Sequence, residues 1–232
     1  MIIVPLAGPD FISADGRIKA EIPYSGTTLL QACLESRPWR AIAGQNGEGY
    51  VFVLHDSLAT RDFAVRYLRK HYPASRQVFL SEYTRGAAFS VLAGCGLYKS
   101  DESIIVDLAD ILYESDLDLP HTLFEAEPSL GAIGLTFPAS SPAYSYLREE
   151  EGLVVEAREK VVISNHASAG TYVFRDLATY LEALSWYLTN PDYLHNGLYF
   201  LCPMFNGVIA SGKRVVREDV VLIDDIKVAA LS

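Results

Sequence analysis

The 232-residue sequence has no apolar run near the roughly 20 residues that a membrane-spanning helix needs. It also lacks an excess of basic charge, because 19 Lys and Arg stand against 29 Asp and Glu, for a formal net charge of −10. Nucleic-acid-binding surfaces need clustered Lys and Arg. The opening Met1-Ile-Ile-Val-Pro has no basic segment of the signal-peptide type. These absences predict a cytoplasmic protein with neither a membrane nor a nucleic-acid partner.

Cysteine is scarce as well, with only Cys33, Cys95 and Cys202, which are far apart. An odd number without short spacings fits neither a disulfide framework nor a metal-binding cluster, so reduced thiols are expected. What the chain does have is apolar material: half of its residues are hydrophobic and its mean hydropathy is +0.16. That is enough for one well-filled core, and the length predicts a single domain over residues 1–232.

Apolar runs bounded by turn residues alternate with helical patterns, which is typical of an α/β layered fold. Strands are predicted at residues 2–6, 50–54, 77–80, 103–106, 131–137, 145–148, 153–156, 172–174, 212–217 and 220–223, and helices at 28–35, 59–71, 86–97 and 177–188. The continuous apolar run 50–54 indicates a parallel strand covered on both faces. The three runs between 131 and 156 indicate hairpin strands of a more antiparallel region.

The segment from Lys19 to Leu30, about a dozen residues after the Ala7-Gly8 turn, carries the most information. A glycine turn at the end of a strand, with a lysine returning to it, is a common way to hold phosphate groups in α/β proteins. The segment also fits any α/β domain that has a lysine on its first loop. Both interpretations stay open on this segment alone.

Two further segments contain residues suited to a nucleotide site. Gly86 and Ala87 follow Thr84 at a helix start, where small residues let a flat ring approach the backbone and free N–H groups can bind its edge. Close helix packing needs small residues too. The apolar strand 103–106 is followed by Asp107 and Asp110, at the place where α/β sheets bind ligands and where a carboxylate can hold Mg²⁺. An Asp capping the next turn is the alternative.

In order along the chain, these segments resemble the sugar-phosphate nucleotidyltransferases, also called nucleotide-sugar pyrophosphorylases. Residues 19–30 match the pattern Lys-Pro-Leu-Ile-Pro-Val-x-Gly-Lys-Pro-Leu-Ile at Lys19, Ile22, Pro23, Gly26 and Leu29. Residues 84–92 are similar to Thr-x-Gly-Ala-Ala-x-Thr-Val-Leu, and residues 104–110 resemble an apolar strand that ends in Asn-Ser-Asp or Gly-Asp. Residues 157–174 resemble Ala-Glu-Lys-x-x-Ile-Ser-x-x-Ala-x-x-Gly-Ile-Tyr-Tyr-Phe, and 196–206 resemble Asn-Gly-Glu-Tyr-Tyr-x-x-Pro-x-Tyr-Asn.

The resemblance implies a single-domain, Rossmann-like nucleotidyltransferase fold of the glycosyltransferase-A type, with a mixed, mostly parallel sheet flanked by helices. It implies a nucleotide-binding part over about residues 1–112 and an acceptor-binding part over about 113–232. The implied reaction joins an NTP and a sugar phosphate, or a similar phosphorylated acceptor, and releases pyrophosphate. It would use Mg²⁺ and serve surface polysaccharide biosynthesis. The oligomeric state stays open.

Carried over residue by residue, the resemblance also implies a set of site residues. They are Lys19 and Asp110 for catalysis, Leu6, Ala7, Gly8, Thr84, Gly86 and Ala87 for the nucleotide, Glu159, Lys160, Ala169, Gly170 and Asn206 for the acceptor, and Asp110 and Asp224 for the metal. Asp107 competes with Asp110 for the metal role. Asp225 is the alternative to Asp224.

The loop after the first strand departs from the family pattern. Members carry Ala-Gly-x-Gly-x-Arg, whereas this chain has Ala7-Gly-Pro-Asp-Phe11, without the second glycine and without the arginine. Pro9 removes an N–H donor, and Asp10 repels a triphosphate unless a metal ion lies between them. Arg17 is a candidate substitute cation. A further departure is Leu198, where the family has Glu.

These departures leave two rival functions. One is a catalytically silent homologue that binds a nucleotide or sugar and regulates or scaffolds a partner. The other is a glycosyltransferase that uses a preformed nucleotide-sugar; such enzymes typically show Asp-x-Asp, whereas this chain has Asp107-Leu-Ala-Asp110.

Overall fold

A mixed β-sheet with helices on both faces organises the chain, for which the computed structural model describes residues 1–99, 102–117 and 120–225. The strands are β1 (Ile2–Leu6), β2 (Pro23–Tyr24), β3 (Thr27–Thr28), β4 (Tyr50–His55), β5 (Arg76–Leu80), β6 (Ile104–Asp107), β7 (Ile111–Glu114), β8 (Leu130–Pro138), β9 (Tyr146–Glu150), β10 (Leu153–Arg158), β11 (His166–Phe174), β12 (Arg214–Asp219) and β13 (Val221–Asp225). The helices are α1 (Leu29–Glu35), α2 (Arg40–Ala43), α3 (Leu58–Phe63), α4 (Arg69–His71), α5 (Ala87–Cys95), α6 (Pro120–Ala126), α7 (Leu177–Thr189) and α8 (Met204–Ala210).

The order of the strands creates a crevice at one edge of the sheet. The path through the main sheet is β10-β9-β11-β6-β1-β4-β5, with β8 and β12 continuing from β11. Strands β6, β1, β4 and β5 are parallel, and β11 is antiparallel to β6. The chain runs outward from β1 to β5 and then returns to the other side of β1 as β6. The carboxyl ends of β1 and β6 therefore form a topological switch point, where open α/β sheets bind ligands.

Alternation along the central strands divides the core into two apolar layers. Ile2 and Val4 of β1 belong to the layer that holds α1 and α3, whereas Ile3 belongs to the layer that holds α5, α7 and α8. Strand β4 divides in the same way, with Phe52 in the first layer and Val51 in the second. Since both faces are covered, these strands are apolar throughout, as the run 50–54 predicts.

The helical pattern predicted at 59–71 forms, but not as one regular helix. A capping box between Ser57 and Thr60 begins α3, and a π-helical turn over Ala64–Leu68 joins it to α4. In this turn Tyr67 hydrogen-bonds Thr28, the residue that caps α1, and Arg66 donates to both oxygens of Glu21 at 2.5 and 2.8 Å. The π-helical turn thus binds Glu21 and Thr28, two residues of the segment that follows Lys19.

The predicted fold class is confirmed: an α/β domain with a mixed, mostly parallel central sheet flanked by helices. Strands β9 and β10 form the expected hairpin, but β8 pairs with β11 antiparallel and with β12 parallel instead of forming a hairpin of its own. The sequence-based assignment contains no counterpart of β2, β3, β7, α2, α6 or α8. No helix in the described ranges is long and apolar enough to cross a bilayer.

Candidate active site

The loop after β1 is a tight turn followed by a small hairpin. The Phe11 N–H donates to Gly8 O at 3.1 Å, which closes a β-turn with Pro9 at its second position, where proline is favoured. Ile12 then pairs with Ile18, and the Lys19 N–H donates to Phe11 O at 3.0 Å. The backbone therefore returns Lys19 to the turn that Gly8 opens. Leu6 and Ala7, the other nucleotide candidates on this loop, are buried beneath it.

Lys19 forms an ion pair with Asp10, which stands where the pattern Ala-Gly-x-Gly-x-Arg has its second glycine. Its Nζ lies 2.6 Å from Asp10 Oδ2, and both side chains are largely exposed, at 42% and 78%. Arg17, the candidate substitute cation, instead pairs with Asp15 at 2.6 Å within its own turn. Lys19 is thus the cation that this loop presents next to Gly8, and a carboxylate already engages it.

Asp107 is a partner in a buried ion pair, which removes it from the candidate metal ligands. Arg37 donates through Nε to Asp107 Oδ2 at 2.7 Å and through Nη2 to Oδ1 at 3.1 Å, and neither side chain is exposed. Burial alone would lower the pKa of the Arg37 guanidinium, but the adjacent Asp107 carboxylate more than offsets this and raises it. Arg37 also donates to Ile111 O at 2.9 Å, so it fixes the chain on both sides of Asp110.

Asp110 lies beside the glycine that sequence analysis assigns to the acceptor. Its Oδ1 is 3.1 Å from the point where a Cβ on Gly170 would sit. Gly170 has φ +77° in a bulged part of β11, and its carbonyl accepts from the Leu108 N–H at 3.0 Å. Two predicted sites, the metal aspartate and the acceptor turn, therefore adjoin at the carboxyl end of β6.

Asp224, the second predicted metal ligand, lies on β13, where it pairs with Leu112 of β7, two residues after Asp110. Partial desolvation raises the pKa of the Tyr24 hydroxyl, and Asp224, which accepts a hydrogen bond from it, adds to the rise. Tyr24 follows Lys19 closely in sequence, so this contact links the lysine loop to Asp224.

The chemistry of this donor pair fits Mg²⁺. Mg²⁺ is commonly bound by one or two carboxylates together with phosphates and waters. Within residues 1–99, 102–117 and 120–225, no group of three or more His, Cys, Asp or Glu side chains is arranged to hold a metal ion. Asp110 and Asp224, the two residues predicted to bind the metal, both carry carboxylates, a donor type that Mg²⁺ accepts.

Gly86 serves close backbone packing in addition to any role at a ligand. Its φ is +114°, and a Cβ there would lie 2.7 Å from Tyr199 N and closer still to Tyr199 O. The Ala88 N–H donates to Tyr199 O at 3.1 Å, so this N–H of the first helical turn is used internally. Thr84 donates to Gly86 O at 2.9 Å. Together these contacts fix the start of α5, where Ala87 is the first helical residue.

Substituting Gly86 should test that packing. Gly86→Ala is expected to lower the free energy of unfolding by about 2–4 kcal/mol, because it adds backbone strain and a clash with Tyr199. Gly152→Ala is the matched control: φ is +80° there, but no atom beyond the adjacent residues lies within 4 Å of the added Cβ. Urea titrations of the two variants measure the difference, and equal losses would contradict the close contact.

Glu159 lies in a buried network of hydroxyl groups. Ser145 donates to its Oε2 at 2.5 Å, and the residue is 9% exposed. The Tyr172 hydroxyl accepts a hydrogen bond from Ser168 at 2.9 Å. Its pKa is raised, mainly by burial and secondarily by the nearby Cys202 and Glu159 groups. Lys160, the next residue, is exposed at φ +55°.

The Ser168 hydroxyl joins this network to the acceptor turn, because it accepts from the Gly170 N–H at 3.2 Å. Ala169, between them, is buried. Asn206 anchors the other side: its Oδ1 accepts from the Ala157 N–H at 2.9 Å, and its Nδ2 donates to the Ala157 and Pro203 carbonyls. Both amide hydrogens are used by the backbone, so Asn206 ties α8 to the strand that leads to Glu159.

An exposed aromatic surface that was not predicted from the sequence lies at the same edge of the sheet. His55, the last residue of β4, stacks on Tyr83, which follows β5, with ring centroids 4.1 Å apart and planes 10° from parallel. Tyr83 is 55% exposed. Nothing in either local sequence signals this pair, because it depends on the alignment of β4 with β5.

The fold is similar to those of several solved structures. A nucleoside-diphosphate-sugar pyrophosphorylase from Vibrio cholerae RC9 matches with a TM-score of 0.78 and 21% identity, over 100% of this chain and 99% of the other. An inositol-1-phosphate CTP transferase from T. maritima matches with a TM-score of 0.67 and 15% identity, over 97% and 89%. A UDP-glucose pyrophosphorylase complexed with UDP-glucose matches with a TM-score of 0.63 and 18% identity, over 94% and 89%.

At these identities the likeness defines the fold and leaves the reaction open. No protein-family model matches the sequence, and no curated protein matches it either. The chain thus has the fold of the nucleotide-sugar pyrophosphorylases that its motifs resemble, with a different sequence in the loop after β1.

Proposed function

We propose that this protein is a nucleotidyltransferase that joins an NTP to a sugar phosphate, or a similar phosphorylated acceptor, and releases pyrophosphate. The nucleotide-sugar product would serve surface polysaccharide synthesis. The neighbours named as pyrophosphorylases and as a CTP transferase support the reaction class.

The observation that carries the proposal is the position of the Lys19 and Asp110 loops. They follow β1 and β6, which are adjacent and parallel and flank the switch point of the sheet. The neighbours of these two residues, Ala20 and Ala109, are buried in the same apolar layer, which supports placing both loops on one face of the sheet. A cation and a carboxylate at one crevice are what an approaching triphosphate with its counter-ion requires.

In the proposed reaction, a phosphate oxygen of the acceptor attacks the α-phosphorus of the NTP, and pyrophosphate leaves with the electrons of the broken P–O bond. Lys19 donates to the transferring phosphate and offsets its charge. Lys160, on the exposed turn after Glu159, binds the acceptor phosphate. Glu159 and the Gly170 turn position the acceptor next to Asp110. Positioning and charge neutralisation supply most of the rate in such a step.

Asp110 and Asp224 are the residues that would hold Mg²⁺, and the cation would offset the negative charge of the triphosphate. At the other end of the nucleotide, the α5 start at Gly86 and Ala87 bounds the base. The exposed ring of Tyr83, which follows β5, offers a surface on which the base can stack.

The two rival functions are not equally supported. Asp107 is committed to Arg37, so Asp107-Leu-Ala-Asp110 does not supply the two carboxylates of an Asp-x-Asp glycosyltransferase site. The silent nucleotide-binding homologue is the second candidate, and the Asp10–Lys19 ion pair favours it. That pair occupies the cation that the loop after β1 presents next to Gly8.

Pyrophosphate release separates the two. The protein should release pyrophosphate from at least one of the four common NTPs when Mg²⁺ and a matching sugar phosphate are both present, and not when either is omitted. A coupled phosphate assay over a panel of sugar phosphates measures it. Nucleotide binding without release from any pair would favour the silent homologue, and absence of both would end the nucleotidyltransferase proposal.

A further inference from the structure

The Asp10–Lys19 ion pair has the geometry of a gate on the phosphate loop. Asp10 is the third residue of the Gly8–Phe11 turn, and the hairpin after it brings the Lys19 amine to 2.6 Å from its carboxylate. Asp10 also crowds Gly8, because a Cβ there would lie 2.8 Å from Asp10 Oδ1. Both oxygens of this carboxylate therefore face the elements that would receive a phosphate chain.

Breaking the Asp10–Lys19 ion pair is easy, but the freed Asp10 carboxylate is unfavourable next to a triphosphate without a metal ion. An exposed ion pair contributes little to stability, so a ligand can displace Asp10 from Lys19. The displaced carboxylate then remains beside several phosphate charges, and this repulsion persists at short range even in a partly aqueous setting. A divalent cation bound to the phosphates removes the repulsion, because carboxylate oxygens are favourable neighbours or ligands for it.

We propose that Asp10 is a specificity-determining residue that makes the phosphate loop selective for the metal-bound polyphosphate over the free anion. This inference rests on the proposed function, since it places a polyphosphate at Lys19. The loop has lost the second glycine and the arginine of the family pattern, and it has gained a carboxylate that ties affinity to metal loading.

The test compares inorganic tripolyphosphate binding with and without Mg²⁺ in wild type and in Asp10→Asn, by titration calorimetry at constant ionic strength. Tripolyphosphate carries no base, so contacts to a nucleotide base do not contribute to its binding, and the change caused by Asp10→Asn reports the loop that contains Asp10. Asp10→Asn is expected to bind the metal-free anion about five- to tenfold more tightly than wild type. The ratio of the metal-free to the Mg²⁺ dissociation constant should fall by a similar factor.

Asp62→Asn is the matched control, since it removes the same charge from another exposed ion pair, and Arg66 there keeps both hydrogen bonds to Glu21. It should leave the ratio unchanged. If Asp10→Asn leaves the ratio at the wild-type value, or if Asp62→Asn lowers it equally, the gate is wrong while the proposed function stands. If wild type binds neither tripolyphosphate nor any NTP under either condition, the proposed function fails and the gate fails with it. Equal melting temperatures establish that both variants are folded.

Discussion

Asp110→Asn should abolish Mg²⁺-dependent turnover, by on the order of a hundredfold or more, while leaving the melting temperature close to that of wild type. A neutral amide is a poor ligand for a hard cation, and the charge stabilisation supplied by a bound metal is worth several kcal/mol in the transition state. Asp110 lies in a loop, so its replacement by an isosteric residue leaves the core intact. Pyrophosphate release across a Mg²⁺ titration measures the effect.

The matched control is Asp56→Asn. Asp56 follows β4 as Asp110 follows β6, but its carboxylate is held by Arg61 at 2.5 and 2.7 Å. This variant should retain its Mg²⁺ dependence. Unchanged turnover in Asp110→Asn would remove the metal role from Asp110, and Asp107 could not take it over, because Arg37 occupies both of its oxygens.

Arg37→Leu is expected to cause the largest loss of stability, about 3–5 kcal/mol in the free energy of unfolding, because it leaves the Asp107 carboxylate buried without its cation. Arg37 also contacts the Tyr113 ring, with its guanidinium carbon 3.8 Å from the ring centroid. Urea titration monitored by circular dichroism measures the change.

A second variant separates the stranded charge from lost packing. Arg37→Leu with Asp107→Asn should recover at least about 1 kcal/mol, because the asparagine carries no charge and its oxygen can still accept from the Ala109 N–H. A double variant as unstable as Arg37→Leu alone would mean that packing against Tyr113, and not the ion pair, explains the loss.

The central strands were predictable because a strand that is buried on both faces is a continuous apolar run in the sequence. The continuous apolar run 50–54 and the short run 2–6 are typical of parallel strands that are covered on both faces. The return of Lys19 to the glycine turn was also predictable from the sequence, because it depends on a hairpin within residues 11–19. The carboxyl ends of β1 and β6 had to converge once both were central strands of one parallel sheet.

Other features were out of reach because they depend on contacts between distant parts of the chain. Arg37 and Asp107 are 70 residues apart. Each is a charge beside apolar residues, which signals that a partner is needed but not which one. The Gly86 contact depends on Tyr199, more than a hundred residues later, and a run of small residues is equally consistent with ring binding. The elements β7 and α8 are short, and their apolar faces are recognisable only against neighbours that are distant in sequence.

The most direct measurement of the central claim is the thermal shift caused by nucleotides and nucleotide-sugars with Mg²⁺, in wild type and in Lys19→Ala. A ligand that binds only the folded state raises the melting temperature. The loss of a charge-assisted contact weakens binding about ten- to a hundredfold. We expect a shift in wild type with at least one ligand, its loss in Lys19→Ala, and its retention in Lys213→Ala, where the lysine pairs with Glu182 away from the crevice. A wild-type shift that Lys19→Ala preserves in full would contradict a phosphate site at the switch point.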